Sequence, residues 1–347
     1  MKRDIPLRRR ISARQSDWLD ALDFTDVLAT MRADLQQVEE RLRREVDVDY
    51  PFIGEVLDGL IAAGGKRLRP LILLLSARPF TYHLDQLLPA AAGVELLHTA
   101  SLIHDDTVDH AEVRRGRPTL NTLISTEAVI LFGDYIFARA AMLAAETMNP
   151  KVVGVFASTL GDICDGELRE IFTARELGQS LDDYKRRIYG KTAALFAGSA
   201  EMGAILGQAT DDAIAAMRRF GKNVGMAFQI VDDVLDLRES TNQIGKPAGL
   251  DLRQGTVTLP TMLFFEHDGN DGDKTEVVRR AVGGNGATDA DYAMATTVIR
   301  ESGALERSLA VAARYVDDAK EELRFIPHGQ TREMLEAIAD QALNRSH

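Results

Sequence analysis

The chain has 347 residues, 45% apolar and 27% charged, which excludes wholesale disorder and leaves two domains or one large helical domain open. Lys and Arg number 41 against 53 Asp and Glu, a net charge of −12, so a general nucleic-acid binder is excluded, because neutralising phosphates takes a basic surface. A local basic pocket for a small phosphate compound stays open.

Residues 1–20 carry Lys2, Arg3, Arg8, Arg9, Arg10 and Arg14 against three acids, Asp4, Asp17 and Asp20, and within the first fourteen only Asp4 opposes them. The stretch lacks the apolar centre of a secretory signal and reads as a basic tail or a targeting segment. Residues 21–347 read as one domain, because no linker divides them and no internal period repeats. The ten prolines punctuate the chain, and none falls between Lys151 and Lys246. Proline is costly inside a helix, so a long proline-free stretch rich in Ala, Leu and Glu favours helices. Val94, Leu97, Leu102 and Ile103 recur at helical spacing, as do Val129, Phe132, Ile136, Phe137 and Met142. No strand–turn–strand signal stands out, so the fold class is all-α, with breaks expected at Pro79-Phe80, Arg114–Pro118, Met148–Pro150, Gly245–Gly255 and Asp268–Gly286. No apolar run is long enough for a transmembrane segment. The single cysteine, Cys164, cannot form an internal disulfide, and it reads as a small buried residue in a cytoplasmic protein.

Two segments repeat the pattern D-D-x-x-D. Asp105, Asp106 and Asp109 close Leu102-Ile-His-Asp-Asp-Thr-Val-Asp109, and Asp232, Asp233 and Asp236 close Gln229-Ile-Val-Asp-Asp-Val-Leu-Asp236. On a helix the first and last carboxylates of each cluster share a face one turn apart. They repel there unless a cation joins them, and magnesium prefers hard oxygen ligands of this kind, often shared with substrate phosphates. A solvated face or helix cap explains one such cluster; two, each flanked by apolar helix, point to facing walls that hold metal ions and a diphosphate.

Basic residues supply the other half. Gly64-Gly-Lys-Arg-Leu-Arg-Pro70 sets Lys66 and Arg69 after a glycine pair, a phosphate grip or equally a helix C-cap with a solvated turn. Arg114 and Arg115 follow the first aspartates, and Lys191, Thr192 and Lys246 lie in motif-like segments. His98 stands two turns before Asp105, either as a phosphate donor or as a satisfied core histidine.

In this order the motifs are specific as a set. Gly64–Pro70, Glu95-Leu-Leu-His98, His104–Asp109 with Arg114–Thr119, Gly190-Lys-Thr192, Gln229–Asp236 and Gly245-Lys-Pro through Thr258-Leu-Pro260 make residues 25–345 resemble the trans-isoprenyl diphosphate synthases, or polyprenyl synthetases. The resemblance implies the isoprenoid synthase fold, with helices around a deep central cavity, a homodimer, and up to three Mg2+ ions. It assigns Asp105, Asp106, Asp109, Asp232 and Asp236 to the metals, with Asp233 lining the same site. It gives Lys66, Arg69, His98 and Arg115 to the diphosphate of isopentenyl diphosphate. Arg114, Lys191 and Lys246 go to the allylic diphosphate, and Thr192 and Gln229 flank the developing carbocation. The implied reaction adds isopentenyl units to an allylic diphosphate head to tail.

Two departures stand out. Thr256 and Glu170 occupy positions where relatives often carry lysine and glutamine. The residues before Asp105 set the floor of the tail channel in this family. Ala100 and Ser101 are small, which implies all-trans products of C25 or longer. Phe132 on the next helix is either a deeper floor or plain core. A geranylgeranyl (C20) synthase is the alternative. A terpene cyclase would not need the isopentenyl site, and a non-catalytic synthase subunit would lack intact aspartate motifs.

Overall fold

A computed structural model describes residues 25–45, 54, 59, 67–114, 117–238, 249–269, 272–284 and 286–344. Helix α1 spans Thr25–Glu45, α2 Leu68–Ala77 and α3 Leu84–Val108. Next come α4 at Thr126–Glu146, α5 at Pro150–Thr173, α6 at Leu181–Ile188 and α7 at Ala194–Leu206. Helix α8 covers Asp211–Arg238, α9 Leu250–Gln254, α10 Leu259–Asp268 and α11 Gly272–Gly283. Helices α12 (Asp289–Glu301), α13 (Ala304–Glu321) and α14 (Gln330–Leu343) complete the described chain.

The starts have local causes. Ser125 caps α4 by accepting from the Ala128 N–H, and Asn149 caps α5 directly before Pro150. Ser180 with Asp183, and Thr288 with Asp291, form reciprocal capping boxes at α6 and α12. The all-α expectation holds with one exception. The Arg114–Pro118 break is a two-residue antiparallel ribbon, Val113 opposite Pro118 and Arg114 opposite Arg117. Strands that short carry no periodic signal.

Helix α8 is the spine, packed against α7 on one side and α13 on the other. Gly221 lets α7 and α8 approach backbone to backbone, since a Cβ there would lie 2.3 Å from the Phe196 carbonyl oxygen. Helices α2 and α7 are buried almost throughout, and Leu71 to Leu75 lose all contact with solvent. A second cluster, built on Val234, Leu237, Phe264, Val278 and Ile299, gathers α10–α12 around the C-terminal end of α8.

One expectation is corrected. Cys164 is exposed on α5, not buried, because it lies on the outward face of the helix. Helix α4 is long and apolar enough to cross a membrane by length and composition, the one such helix among the described residues. Asp134 and Arg139 break the run in the sequence. Val129, Ile136 and Ala140 are buried in the core, and Leu131, Tyr135 and Met142 are exposed.

Candidate active site

Both aspartate clusters open on one cavity of about 420 Å3. Asp106 lines it from α3 and Asp109 from the C-cap of that helix, Lys191 from the turn after α6, Gln229 and Asp233 from α8, and Asp251 and Thr256 from the segment after α8. Arg114, Glu170 and Arg187 complete its charged lining, so five carboxylates face three cations at the wall.

Asp105 is largely buried, and burial pushes its carboxyl up to about 6; Lys191 and Arg114 pull against that, and Asp109 and Glu170 add to it. Asp109 is raised by burial too, with Glu170 and Asp106 opposed by Lys191 and Arg114. Asp106 accepts the Arg114 guanidinium at 2.7 Å. Asp233 is pushed to about 7 by burial, although hydrogen bonds from Gln229 and Tyr184 hold it back. Burial, together with Asp236 and Asp233, holds the Asp251 carboxyl well above the usual range. Asp236 accepts the N–H groups of Leu250 at 3.0 Å and Asp251 at 3.1 Å, so it also caps α9.

Lys191 sits on a π-turn, Tyr189–Ala193, between α6 and α7. At this turn α5 and the segment touch backbone to backbone. A Cβ on Gly190 would lie 2.4 Å from the Asp162 carbonyl oxygen, and one on Gly166 would lie 2.4 Å from the Lys191 nitrogen. Lys191 Nζ donates to Glu170 Oε1 at 2.5 Å and lies 3.6 Å from Glu167. Burial lowers its affinity for a proton, but Glu170, Glu167 and Asp105 more than offset that. Glu167 is itself raised to about 7, by burial and by Asp105 and Glu170 against Lys191.

Among the described residues no three acid, histidine or cysteine side chains converge tightly enough to hold a metal ion alone. The donor set nonetheless fits hard divalent cations. It is all carboxylate oxygen, it outnumbers the cations around it, and its members are raised by burial and by one another's charge. Magnesium commonly takes one or two carboxylates and completes its shell with water and substrate phosphate.

Thr192 and Gln229 are joined, the Thr192 hydroxyl donating to Gln229 Oε1 at 2.5 Å. Arg69 and His98 do not line the cavity, and Thr192, Asp105, Asp232 and Asp236 stand beside residues that do, at Lys191, Asp106 and Asp233, without lining it themselves. The Arg69 guanidinium lies 4.7 Å from the centre of the Phe196 ring, and His98 is half-buried on α3. Lys66, Arg115 and Lys246 lie outside the described residues. Ser101 is half-buried one turn before Asp105, whereas Ala100 is completely buried. Phe132 is buried in α4 with its ring 6.5 Å from that of Tyr135.

Motif reading missed three contributors, Tyr184, Arg187 and Glu167, and gave Asp251 no role. Arg187 reaches the Val257 carbonyl at 2.6 Å and Gln179 at 3.0 Å. Its only sequence signal is its place one helical turn before Lys191.

The family model for polyprenyl synthetase matches residues 50–298. The chain belongs to the polyprenyl synthetase family. It is 41% identical over 307 residues to heptaprenyl diphosphate synthase component 2 of Geobacillus stearothermophilus, covering 88% of this chain and 94% of that one. A polyprenyl synthase from Caulobacter crescentus, solved with calcium and isoprenyl diphosphate, superposes with a TM-score of 0.87 at 37% identity, over 92% of this chain and 97% of that one. A decaprenyl diphosphate synthase from Rhodobacter capsulatus superposes with a TM-score of 0.86 at 35% identity, over 93% of this chain and 99% of that one.

Proposed function

We propose that the chain is a prenyltransferase that adds isopentenyl diphosphate to an allylic diphosphate, giving an all-trans polyprenyl diphosphate of C25 or longer. What supports this reading is the single cavity with an aspartate cluster on each wall and Lys191 and Arg114 on its lining. Asp105, Asp106 and Asp109 would hold Mg2+ on one side, and Asp232 and Asp236 on the other, up to three ions in all. Bound Mg2+ would neutralise the diphosphate and make it a better leaving group.

Lys191, Arg114 and Lys246 bind the allylic diphosphate and stabilise the charge that builds on it as the allylic C–O bond ionises. Lys66, Arg69, His98 and Arg115 hold isopentenyl diphosphate alongside, so that its double bond attacks the allylic carbon. Thr192 and Gln229 turn oxygen dipoles toward the developing positive charge. The released diphosphate takes the proton whose loss restores an allylic product. The buried walls exclude water that would quench the cation. Residues 21–347 form the catalytic domain and residues 1–20 a basic tail outside it.

The working form is a homodimer in the cytoplasm. The exposed apolar face of α4, with Leu131 at 69% and Met142 at 59%, together with Phe172 of α5 at 75%, supports a second copy as the neighbour. The name "component 2" borne by the Geobacillus relative favours a second reading, in which a different subunit takes that face. Incubation of the purified protein with isopentenyl diphosphate and allylic primers, with and without Mg2+, tests the function. Products lengthened by whole isoprene units are expected only with the metal, and no elongation from any primer would reject the reading.

A further inference from the structure

Asp233 has a support on another helix. Tyr184 of α6 is 1% exposed, and its hydroxyl donates to Asp233 Oδ2 at 2.7 Å. Gln229 Nε2 donates to the other oxygen of the same carboxylate at 2.9 Å. The opposite end of that amide, Oε1, accepts the Thr192 hydroxyl at 2.5 Å.

These bonds run in one direction. Both oxygens of Asp233 accept, one from the Tyr184 hydroxyl and the other from the Gln229 NH2, which leaves the Gln229 carbonyl turned to Thr192. Thr192 then spends its one proton on Gln229, and only its lone pairs remain to face anything else. Arg187, one turn along α6, packs its guanidinium 5.6 Å from the centre of the Tyr184 ring and ties α6 to the carbonyl of Val257, which lies between the lining residues Thr256 and Thr258. Tyr184 itself does not line the cavity, whereas Arg187, Gln229 and Asp233 do.

We propose that Tyr184 is a positioning residue. Through Asp233 and Gln229 it fixes the Thr192 hydroxyl so that its lone pairs face the carbon on which positive charge develops. The inference rests on the prenyltransferase reading, since it needs a cationic transition state at that place. Preorganised dipoles speed a reaction because they need not turn as charge appears.

The test is a double-mutant cycle of Tyr184→Phe with Thr192→Val, assayed with isopentenyl diphosphate and an allylic primer. Tyr184→Phe keeps the ring and removes one hydrogen bond to a carboxylate. We expect kcat to fall about tenfold and KM for both diphosphates to stay within about twofold, because no diphosphate contact is touched. In the Thr192→Val background the same change should leave kcat where it is. An unchanged kcat in Tyr184→Phe, or losses that multiply fully in the double variant, would overturn the proposal. Should Tyr184→Phe fail to fold, Asp233→Asn in the same cycle reads the relay at its next link, with full multiplication again the overturning result. A wild type that elongates no primer removes the functional reading and this inference with it. An active wild type with an indifferent Tyr184→Phe removes the inference alone.

Discussion

Lys191 and Glu170 form an ion pair at 2.5 Å on the wall of the cavity, with both side chains largely shielded from solvent. The cation proposed for the allylic diphosphate is thus already engaged by a carboxylate in the ligand-free chain. Binding a diphosphate there exchanges one anion for another, and part of the gain is offset by the pair that breaks. Glu170→Gln keeps a hydrogen-bond acceptor and removes the competing charge. KM for the allylic primer should fall roughly fivefold, about 1 kcal/mol, with KM for isopentenyl diphosphate unchanged. Initial-rate kinetics with each substrate varied in turn checks this, and an unchanged primer KM would mean that Glu170 does not compete.

Asp105 and Asp232 belong to clusters on opposite helices, so their loss should be equally damaging if both clusters hold one metal–diphosphate assembly. Asp105→Ala and Asp232→Ala should each lower kcat on the order of a thousandfold or more. Circular dichroism and the thermal midpoint should change little, because neither side chain belongs to a core cluster. Loss of only one variant's activity would argue against a shared assembly.

Much of this arrangement is legible in the chain, for a physical reason. Helical period, sparse proline and N-cap residues are local signals, and they place α3 and α8 with their aspartates on adjoining turns. What escapes is whatever depends on three-dimensional neighbours. Asp236 reads as one more metal ligand, yet it also accepts two backbone N–H groups and so fixes the start of α9. Tyr184 and Arg187 have no motif because they act through Asp233 and a backbone carbonyl. Ala100 and Ser101 are neighbours in sequence, but the helix turns the first wholly into the core and leaves the second half-buried.

That difference separates two substitutions expected to limit the tail. Ser101→Phe should place a ring one turn before Asp105 and shorten the main product, with little effect on stability. Ala100→Phe should shorten it as well, but it forces a large side chain into a filled core and should cost about 1–3 kcal/mol. Chromatography of the extracted products beside thermal unfolding of each variant checks both. An unchanged product from Ser101→Phe would remove this part of α3 from the channel.

The outer face of α4 gives a prediction about assembly. A contiguous apolar surface on a soluble chain usually marks an interaction site. Leu131→Glu, at a position 69% exposed, should leave the monomer's fold intact and disrupt association. Light scattering coupled to size exclusion should show the mass of two chains for the wild type and of one for the variant. A wild type that runs as a monomer until another chain is added would favour the heteromeric reading.

The acids around the cavity fix how the metal-free chain responds to pH. Asp105 is raised to about 6, and Glu167 and Asp233 to about 7. Unfolded carboxyls titrate near 4, so between about pH 4 and pH 7 the folded chain holds more protons than the unfolded one. Stability contributed by these groups is therefore greatest below pH 4 and is lost as pH rises through their folded values. Capping acids such as Asp183 and Asp291 are shifted downward by their hydrogen bonds and act with opposite sign, at the acid end of the range. In the presence of a chelator the thermal midpoint should decline from about pH 5 to pH 8. Saturating Mg2+ should restore a few degrees at pH 8 and much less at pH 5, where protons compete for the same oxygens. Calorimetry across that range with and without the metal checks it. A midpoint that rises with pH under chelation, or a magnesium effect that does not grow with pH, would show that the clustered carboxylates are not where the metal binds.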